Sequence, residues 1–257
     1  MDVFCKNIRE HILRISHYSG HGHIPTSFSV VEMISAVYSI MHHEPSNPEW
    51  EHRDIFILSK GHAALAHYCI LSNLGYFPIQ DVRSFGAFNS AFGCHSDRHT
   101  VPGVEWSTGS LGHGSGVAAG IALSFKIKKS PRKVFVLIGD GEANEGTVWE
   151  SLMVAANLRL NNLIILFDNN KSQLRCLPIT KPSEKFKAFD CDVAEVNGHD
   201  VAALKEALSS ISGGRPKVIV ADTVKGWGCK TLVENMFAWH RRSPSREEME
   251  MLLGELQ

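Results

Sequence analysis

Short runs of mainly apolar residues alternate with longer amphipathic stretches along most of the chain. Runs of this length that are rich in Val, Ile, Leu and Phe are typical of strands buried on both faces of a sheet. The predicted strands are Ile55–Leu58, Val134–Ile138, Leu163–Phe167, Val193–Val196 and Val218–Ala221. Because amphipathic segments separate these strands, the pattern predicts an α/β fold with a parallel sheet flanked by helices.

Apolar side chains at helical spacing mark the segments before and between the strands. The segment Asn7–His17, for example, carries Ile8, Ile12 and Ile15 at helical intervals. The predicted helices are Asn7–His17, Ser29–Met41, His62–Leu74, Gly114–Lys128, Asn144–Leu158 and Val201–Ile211, followed by a polar helix that begins at Ser245. The 257 residues contain no repeat, low-complexity tract or long linker, so we expect one domain over residues 1–257.

Composition narrows the class of protein. The hydrophobic share of 44% is enough for a substantial core, and the net charge of −1 gives no basic surface for nucleic acid or for a membrane. No apolar run approaches the length of a signal-peptide core or of a membrane span. The six cysteines are scattered without a Cys-x-x-Cys pair, which argues against a disulfide framework or a zinc ribbon. We therefore expect a cytoplasmic protein that binds neither nucleic acid nor membranes.

Three of the predicted strands are followed by polar loops. These loops are Ser59–His62, Gly139–Glu142 and Asp168–Asn170. In a parallel sheet the carboxyl ends of the strands meet at one edge, and ligands bind at that edge. The three loops are therefore expected to form one shared site.

The second and third of these loops predict a site for a divalent cation. Asp140 offers a carboxylate oxygen, Asn170 an amide oxygen and Ser172 a backbone carbonyl oxygen, and two phosphate oxygens and a water would complete the octahedron that Mg²⁺ prefers. Gly141 lets a backbone N–H approach a phosphate, and a helix that begins near Asn144 turns its positive end towards it. Gly-Asp-Gly and Asn-Asn are each common in turns, so the alternative is a plain strand–turn–helix corner.

The order of these motifs resembles the transketolase branch of the thiamine-diphosphate-dependent enzymes. Gly139-Asp140-Gly141 followed by Asn169-Asn170 is similar to the thiamine diphosphate signature. Further matches, in the family's order, are Ser19-Gly20-His21, Leu58-Ser59-Lys60-Gly61-His62, Ser107-Thr108-Gly109-Ser110-Leu111-Gly112-His113-Gly114 and Asn144-Glu145-Gly146. The similarity runs from about Asn7 to His240. It implies a single diphosphate-binding (PP-type) domain of the thiamine-diphosphate-binding fold over residues 1–257, with residues 224–257 covering the site.

The resemblance also implies roles for individual residues. The implied catalytic residues are His21, His95 and His240, which would move protons or bind the hydroxyls of the donor sugar. The implied contacts with thiamine diphosphate are His62, Gly109, Ser110, Leu111, Gly141, Glu145, Asn170 and His240. The implied ligands of Mg²⁺, for which Ca²⁺ or Mn²⁺ can substitute, are Asp140, Asn170 and Ser172. Glu145 would also couple two cofactor sites across a subunit interface.

Three positions depart from the family's pattern. His95 lies in Gly-Cys-His-Ser where the family usually has Gly-His-Pro, and His240 is followed by Arg241 and Arg242 instead of glycine. Lys171 stands where the family often has glycine, which bears on the Ser172 carbonyl as a ligand. The two arginines are candidates for binding an anionic acceptor, with a solvated surface pair as the alternative.

Only one of the two homologous α/β domains of a transketolase is matched. The glutamate that protonates the cofactor's pyrimidine belongs to the other domain, so the resemblance implies a partner chain. The expected assembly is an α2β2 heterotetramer with a C-terminal transketolase subunit. The expected reaction transfers a two-carbon ketol unit from a ketose, or ketose phosphate, to an aldose, or aldose phosphate. The alternatives left open are the α subunit of a 2-oxo acid dehydrogenase, a deoxyxylulose-phosphate-synthase-like enzyme and a non-catalytic homologue.

Overall fold

The computed structural model describes residues 2–210 and 213–256 and contains all five predicted strands in one sheet. The strands are β1 (Ile55–Leu58), β2 (Val134–Gly139), β3 (Leu163–Asn169), β4 (Asp192–Asn197) and β5 (Lys217–Asp222). They lie in the order β1-β2-β3-β5-β4, and every pairing is parallel. The prediction of a parallel sheet flanked by helices is therefore confirmed.

Helices pack on both faces of this sheet. In chain order they are α1 (Val3–Ser19), α2 (Ile24–Ser29), α3 (Val31–Tyr38), α4 (Ala64–Asn73), α5 (His113–Ile127), α6 (Gly146–Asn157), α7 (Pro182–Ala188), α8 (Val201–Ser209), α9 (Lys230–Glu234) and α10 (Arg246–Glu255). Short 3-10 turns occupy Gly61–Ala63, Asp81–Ser84 and Glu142–Asn144. Across the described ranges, no helix combines the length and the apolar character needed to cross a bilayer.

The helix predicted over Ser29–Met41 is wrong in both its bounds. The structure instead has two helices, because the backbone at Val30 (φ −110°, ψ 1°) leaves helical geometry between α2 and α3. Pro25 lies in the first turn of α2, where its missing N–H costs no helical hydrogen bond. The apolar spacing over this segment is genuine, but it spans two buried helices with a break that spacing alone does not reveal.

The other predicted helices also begin or end at residues that differ from those predicted; α1, for example, begins at Val3 and not at Asn7. The helix expected from Asn144 begins at Gly146, because Glu145 has an extended backbone (ψ 128°) and serves as its N-terminal cap residue. The helix expected to reach Ile211 ends at Ser209, and Ile211 lies outside the described residues. Helices α7 and α9 were not predicted, since they have too few residues for a clear apolar period.

Each face of the sheet has its own apolar core, because successive side chains of a strand point to opposite faces. On β2, Val136 and Ile138 belong to a core that α5 and α6 cover. Phe135 and Leu137 belong to the core under α1, α3 and α4. Burial on both sides explains why the strands are almost continuous apolar runs in the sequence.

A buried ion pair joins the amino-terminal helices that flank the site. Arg9 of α1 binds both carboxylate oxygens of Glu32 in α3, at 2.6 and 2.7 Å, and its guanidinium also donates to the carbonyl of Phe28. Burial alone would raise the pKa of Glu32, but hydrogen bonds from His199 and Arg9 lower it to about 2. The pair therefore fixes α1 against α3 and, with them, the loop that leads from α1 into α2.

Candidate functional site

The loops that follow β1, β2 and β3 meet at the carboxyl edge of the sheet, as the sequence predicted. Leu58 is paired with Leu137, and Gly139 with Asp168, which brings the three strand ends level. Lys60, after β1, forms a buried ion pair with Asp168 at the end of β3. This side-chain contact confirms that the loops converge at one edge of the sheet, where a shared site was predicted.

A cavity of about 210 Å³ lies at this junction. Its lining includes the predicted cation corner, Asp140, Gly141, Asn170 and Ser172, and the predicted cofactor contacts His62, Leu111 and His240. A larger cavity of about 820 Å³ lies beyond β3, at the ends of β5 and β4, and none of the predicted site residues line it. Because the predicted residues line the smaller cavity, we take it as the candidate site and call it the diphosphate cavity.

Asp140 is held at the end of β2 with only 5% of its surface exposed. Its Oδ1 accepts hydrogen bonds from the Gly141 N–H at 2.8 Å and from the Ser172 hydroxyl at 2.6 Å. Its Oδ2 accepts one from the Gln173 N–H at 3.0 Å. The carboxylate is thus buried and is fixed by the loop that follows β3.

Asn170 lies on the other side of the same loop, with 4% of its surface exposed. Its Oδ1 accepts the Ser172 N–H at 3.0 Å, and its Nδ2 donates to Asp168 at 2.7 Å. Ser172 therefore bridges the carboxylate of Asp140 and the amide oxygen of Asn170. Lys171 adopts a left-handed conformation (φ 59°), the conformation that glycine adopts most readily, so the tight loop is kept although the glycine is not.

The donor set suits a hard divalent cation that is shared with a phosphate ligand. In the described part of the chain, no group of three or more His, Cys, Asp or Glu side chains is arranged to hold a metal by itself. One carboxylate and one amide oxygen are too few for a closed protein site, but they match Mg²⁺ sites in which phosphate oxygens and water complete the shell. The residues therefore fit a Mg²⁺–diphosphate group.

Two lysines supply positive charge to the cavity, and neither was predicted. Lys60 is buried beside Asp168, and Lys225 enters from the loop after β5. Burial and the nearby Lys60 lower the pKa of Lys225 to about 8, against the opposing pull of Asp140 and Asp168. Lys225 follows β5, whose end carries no recognisable motif, so nothing in the sequence indicated that it belongs to the site. Lys60 lies inside the motif Leu58–His62, but no role was predicted for it.

A row of three histidine rings borders the cavity. His23 packs edge-on against His62, with ring centres 5.6 Å apart, and against His240 at 5.4 Å. Burial, followed by the charges of His240 and His95, lowers the pKa of His23 to about 4. Burial is also the largest cause that lowers the pKa of His62 and of His240, so all three rings are neutral at pH 7.

His23, and not His21, is the member of this row that comes from the amino-terminal loop. The ring of His21 lies against Gly86, and the left-handed Gly22 (φ 146°) separates the two histidines. His21 completes the Ser-Gly-His motif and was predicted for that reason, although His23 follows a glycine in the same way. The role predicted for His21 stays a prediction, and His23 is added to the site.

His240 has a defined proton position. The Lys225 ammonium, which can only donate, is 3.1 Å from Nδ1 of His240, so Nδ1 accepts and the proton of the neutral ring is on Nε2. Both residues come from the segment that was expected to cover the site.

The remaining predicted residues lie around the cavity and not in its lining. The ring of His95 lies beside the backbones of Gly61 and Gly109, where added Cβ atoms would be 3.0 and 3.4 Å from its Cδ2. Ser110 and Glu145 are exposed, and the Ser110 hydroxyl lies 3.2 Å from the His113 ring. The roles predicted for these residues stay predictions.

Glu142 is a further residue that sequence reasoning missed. Its buried carboxylate accepts the Ser59 hydroxyl, the Gly112 N–H at 2.9 Å and the Gly139 N–H at 3.1 Å. Burial raises its pKa, while these hydrogen bonds lower it. Glu142 therefore holds the loop after β1, the start of α5 and the end of β2 together beside the cavity.

Comparison with known proteins identifies relatives of the whole chain. It is 39% identical to one of the subunits of the apulose-4-phosphate transketolase of Actinobacillus succinogenes, over 98% of this chain and 94% of that protein. It is 33% identical to the 6-deoxy-6-sulfo-D-fructose transketolase subunit of a Clostridium species, over 93% of this chain and 89% of that protein.

Solved transketolase structures have the same fold. The transketolase of Campylobacter jejuni superposes with a TM-score of 0.90 at 25% identity, over all of this chain and 43% of that one. The enzyme of Leishmania mexicana gives 0.88 at 27% identity, over 98% of this chain and 41% of that one. The chain thus spans about two fifths of these enzymes. Residues 4–251 match the family model described as "Transketolase, thiamine diphosphate binding domain", and the chain belongs to the transketolase family.

Proposed function

We propose that this chain is the diphosphate-binding subunit of a two-subunit, thiamine-diphosphate-dependent transketolase. The observation that carries the proposal is the diphosphate cavity, where buried oxygens of Asp140 and Asn170 lie beside the cations Lys60 and Lys225. A single buried corner that offers oxygen ligands and positive charge together suits a metal-bound diphosphate.

In this proposal the carboxylate of Asp140, the amide oxygen of Asn170 and the backbone carbonyl of Ser172 hold Mg²⁺, with Ca²⁺ or Mn²⁺ as substitutes. Lys60 and Lys225, which line the same cavity, would face the diphosphate oxygens. The backbone N–H of Gly141, which now donates to Asp140 Oδ1, would donate to a phosphate oxygen instead. His62 and the 109–111 loop would contact the rest of the cofactor, and the cofactor would supply the covalent chemistry of ketol transfer.

The neutral histidines are suited to proton transfer near pH 7. Their lowered pKa values mean that His23, His62 and His240 accept or share protons without already carrying a charge. His240, with its proton on Nε2, donates from that atom towards the substrate side. His21 and His95 keep their proposed roles at the donor hydroxyls, and His95 lies beside the Gly109 backbone.

We propose an anionic sugar as substrate. The two relatives described above are named for a phosphorylated and a sulfonated sugar, so both act on anions. Arg241 is close enough to lower the pKa of His95 and His23 by its charge, after the effect of burial. Arg242, in contrast, is paired with Glu248 and stacks 4.0 Å above Trp239. Arg241 is therefore the arginine of this pair that we assign to the anionic end.

A partner chain completes the site in this proposal. Both relatives are named as one subunit of their enzymes, which supports a C-terminal transketolase chain as the partner, and we propose an α2β2 heterotetramer. Glu145 and Ser110 are exposed beside the cavity, where a partner would cover them. We retain a single domain over residues 1–257, with residues 224–257 covering the site, and a cytoplasmic location, which the six unpaired cysteines favour.

The test is reconstitution with the partner. The chain co-expressed with the C-terminal transketolase subunit of its operon is expected to transfer ketol units between phosphorylated sugars when Mg²⁺ and thiamine diphosphate are present. Asp140→Ala should abolish cofactor binding in calorimetry, whereas Asp222→Ala, at the exposed end of β5, should bind as the native complex does. Turnover of a 2-oxo acid, or no cofactor binding by the native complex, would contradict the proposal in favour of another thiamine enzyme or a non-catalytic homologue.

A further inference from the structure

Asp168, at the end of β3, is completely buried and contacts four separate parts of the chain. Its Oδ2 accepts hydrogen bonds from Asn170 Nδ2 at 2.7 Å and from the Ser29 hydroxyl at 2.8 Å, and it pairs with the Lys60 ammonium. Its Oδ1 accepts the hydroxyl of Thr223, which follows β5. None of the roles assigned so far includes Asp168, although it touches a proposed metal ligand and a cavity cation.

The chemistry of this contact fixes the orientation of the Asn170 amide. The two ends of an amide have nearly the same shape, so packing alone does not decide which end faces a neighbour. Asp168 forms an ion pair with Lys60, and the oxygens of a carboxylate in an ion pair accept hydrogen bonds, so Asp168 requires Nδ2 on its side. Oδ1 must then face the cavity, where it already accepts the Ser172 N–H and keeps a second lone pair.

Ser29 strengthens the same preference from a second direction. Its oxygen is 3.3 Å from Nδ2 of Asn170, while its hydroxyl is directed to Asp168 and to the carbonyl of Thr26. The Ser29 oxygen therefore acts as an acceptor for Asn170. Thr223 also binds Asp168, but through the other carboxylate oxygen and without reaching the amide.

Lys60 holds the Asp168 carboxylate from a further direction. Its side chain, 1% exposed, comes from the loop after β1 and forms an ion pair with Asp168 Oδ2, the same oxygen that accepts from Asn170. Buried charged groups are stabilised by pairing of this kind. The ion pair thus holds the acceptor oxygen of Asp168 in place beside the Asn170 amide.

We infer that Asp168 is a positioning residue of the cation site: it selects the amide orientation in which Asn170 presents oxygen, and not N–H, to a divalent cation. The inference rests on the proposed function, because the cation in question is the one that binds with thiamine diphosphate. Partners of metal ligands usually change metal affinity about 10–100-fold when they are removed.

The experiment measures cation affinity and not only activity. The complex with its partner subunit is titrated with Mg²⁺ at fixed thiamine diphosphate, and binding is followed by calorimetry and tryptophan fluorescence. Asp168→Asn should raise the Mg²⁺ midpoint at least about tenfold. At saturating Mg²⁺ its kcat should recover most of the native value, because the amide oxygen is still within reach of the cation.

A matched pair keeps the test decisive where Asp168→Asn does not fold. Ser29→Ala and Thr223→Val each remove one hydroxyl bond to the Asp168 carboxylate, but only Ser29 also faces the Asn170 amide. The Mg²⁺ midpoint should rise severalfold in Ser29→Ala and stay within about twofold of native in Thr223→Val, as one neutral hydrogen bond allows.

Two results would overturn the inference. Equal midpoints for Ser29→Ala and Thr223→Val would mean that amide orientation does not depend on this contact, as would a native midpoint in folded Asp168→Asn. In either case native binding of cofactor would leave the proposed function intact. If the native complex itself showed no Mg²⁺-dependent binding, the proposed function would fail, and the positioning role with it.

Discussion

Two aspartate–asparagine pairs lie on either side of the end of β3, and only one of them has the properties of a metal site. Asp140 and Asn170 are almost fully buried beside Lys60 and face the diphosphate cavity. Asn169, one residue earlier, donates instead to Asp222 at 3.3 Å on the surface. The residue types are the same, but the surroundings differ.

The charges around the two pairs explain the difference. Asp222 is 61% exposed and already has a counter-ion in Lys171, 2.9 Å away, so its surroundings resemble an ordinary surface ion pair. Asp140 accepts only hydroxyl and backbone N–H groups and has no ion pair within the described part of the chain. A buried carboxylate that is held by neutral donors, and that lies beside an amide oxygen with a second lone pair, is suited to binding a cation.

The largest expected contrast is between the two neighbouring asparagines. Asn170→Ala removes a proposed ligand and should raise the Mg²⁺ midpoint for cofactor binding more than about 100-fold, beyond the usual effect of an outer partner. Asn169→Ala removes only the surface contact with Asp222 and should stay within about twofold. Calorimetric titration of the complex checks both, and similar midpoints for the two variants would erase the distinction between the pairs.

The next contrast concerns the histidines on the cavity side. His23→Ala should lower kcat/KM about 100-fold, a typical effect of losing a proton-transfer group, because His23 packs between His62 and His240. His21→Ala should have a smaller effect, since the His21 ring lies against Gly86. Steady-state kinetics of the complex measure both effects. A larger loss of kcat/KM in His21→Ala than in His23→Ala would support the catalytic role predicted for His21 from the sequence.

A third prediction tests the cations on the buried side. Lys225→Met should weaken thiamine diphosphate binding about tenfold or more, which is the usual value of a charge-assisted hydrogen bond. Lys171→Met, on the exposed side, should leave it unchanged, because Lys171 serves only Asp222. Lys225→Arg restores the charge and should recover part of the affinity; unchanged binding in Lys225→Met would remove Lys225 from the cofactor site.

The smallest expected effect is the contribution of His23 to the stability of the fold at acid pH. Because the folded pKa of His23 is about 4 and the ordinary value is 6.5, the folded state disfavours its proton. The stabilisation is therefore complete above pH 6.5 and is lost as the pH falls from 6.5 towards 4. Urea unfolding at pH 7.5 and pH 5 should show a smaller loss of stability in His23→Asn than in the native chain.

Exposed partners provide the control for that experiment. Asp222→Asn, on the surface side of β3, should show the same acid sensitivity as the native chain, because surface ion pairs contribute at most about 1 kcal/mol. If the loss of stability between pH 7.5 and pH 5 were the same in Asp222→Asn and in His23→Asn, burial of His23 would not be the cause of the acid sensitivity.

The sequence predicted the sheet, and the meeting of Asp140 and Asn170 at its edge, because both depend on local patterns. Continuous apolar runs as short as Val134–Ile138, set between amphipathic segments, are typical of buried parallel strands, and the carboxyl ends of such strands must meet. Asp140 and Asn170 each lie just beyond such a run, so their meeting follows from the topology.

What the sequence did not predict depends on the path of the backbone and on long-range contacts. His21 and His23 both follow glycine, and only the turn at Gly22 decides which ring joins His62. Lys225 reaches the cavity from the far side of β5, and nothing near it in the chain indicates that destination. The break at Val30 is equally invisible, since both helices that it separates are buried.

The central claim is that a cation binds between Asp140 and Asn170. The most direct measurement is anomalous diffraction from crystals of the complex grown with thiamine diphosphate and Mn²⁺. The account predicts one strong Mn²⁺ peak within bonding distance of both the Asp140 carboxylate and the Asn170 amide oxygen. A peak between Asp222 and Asn169, or cofactor bound without any peak at Asp140, would contradict it.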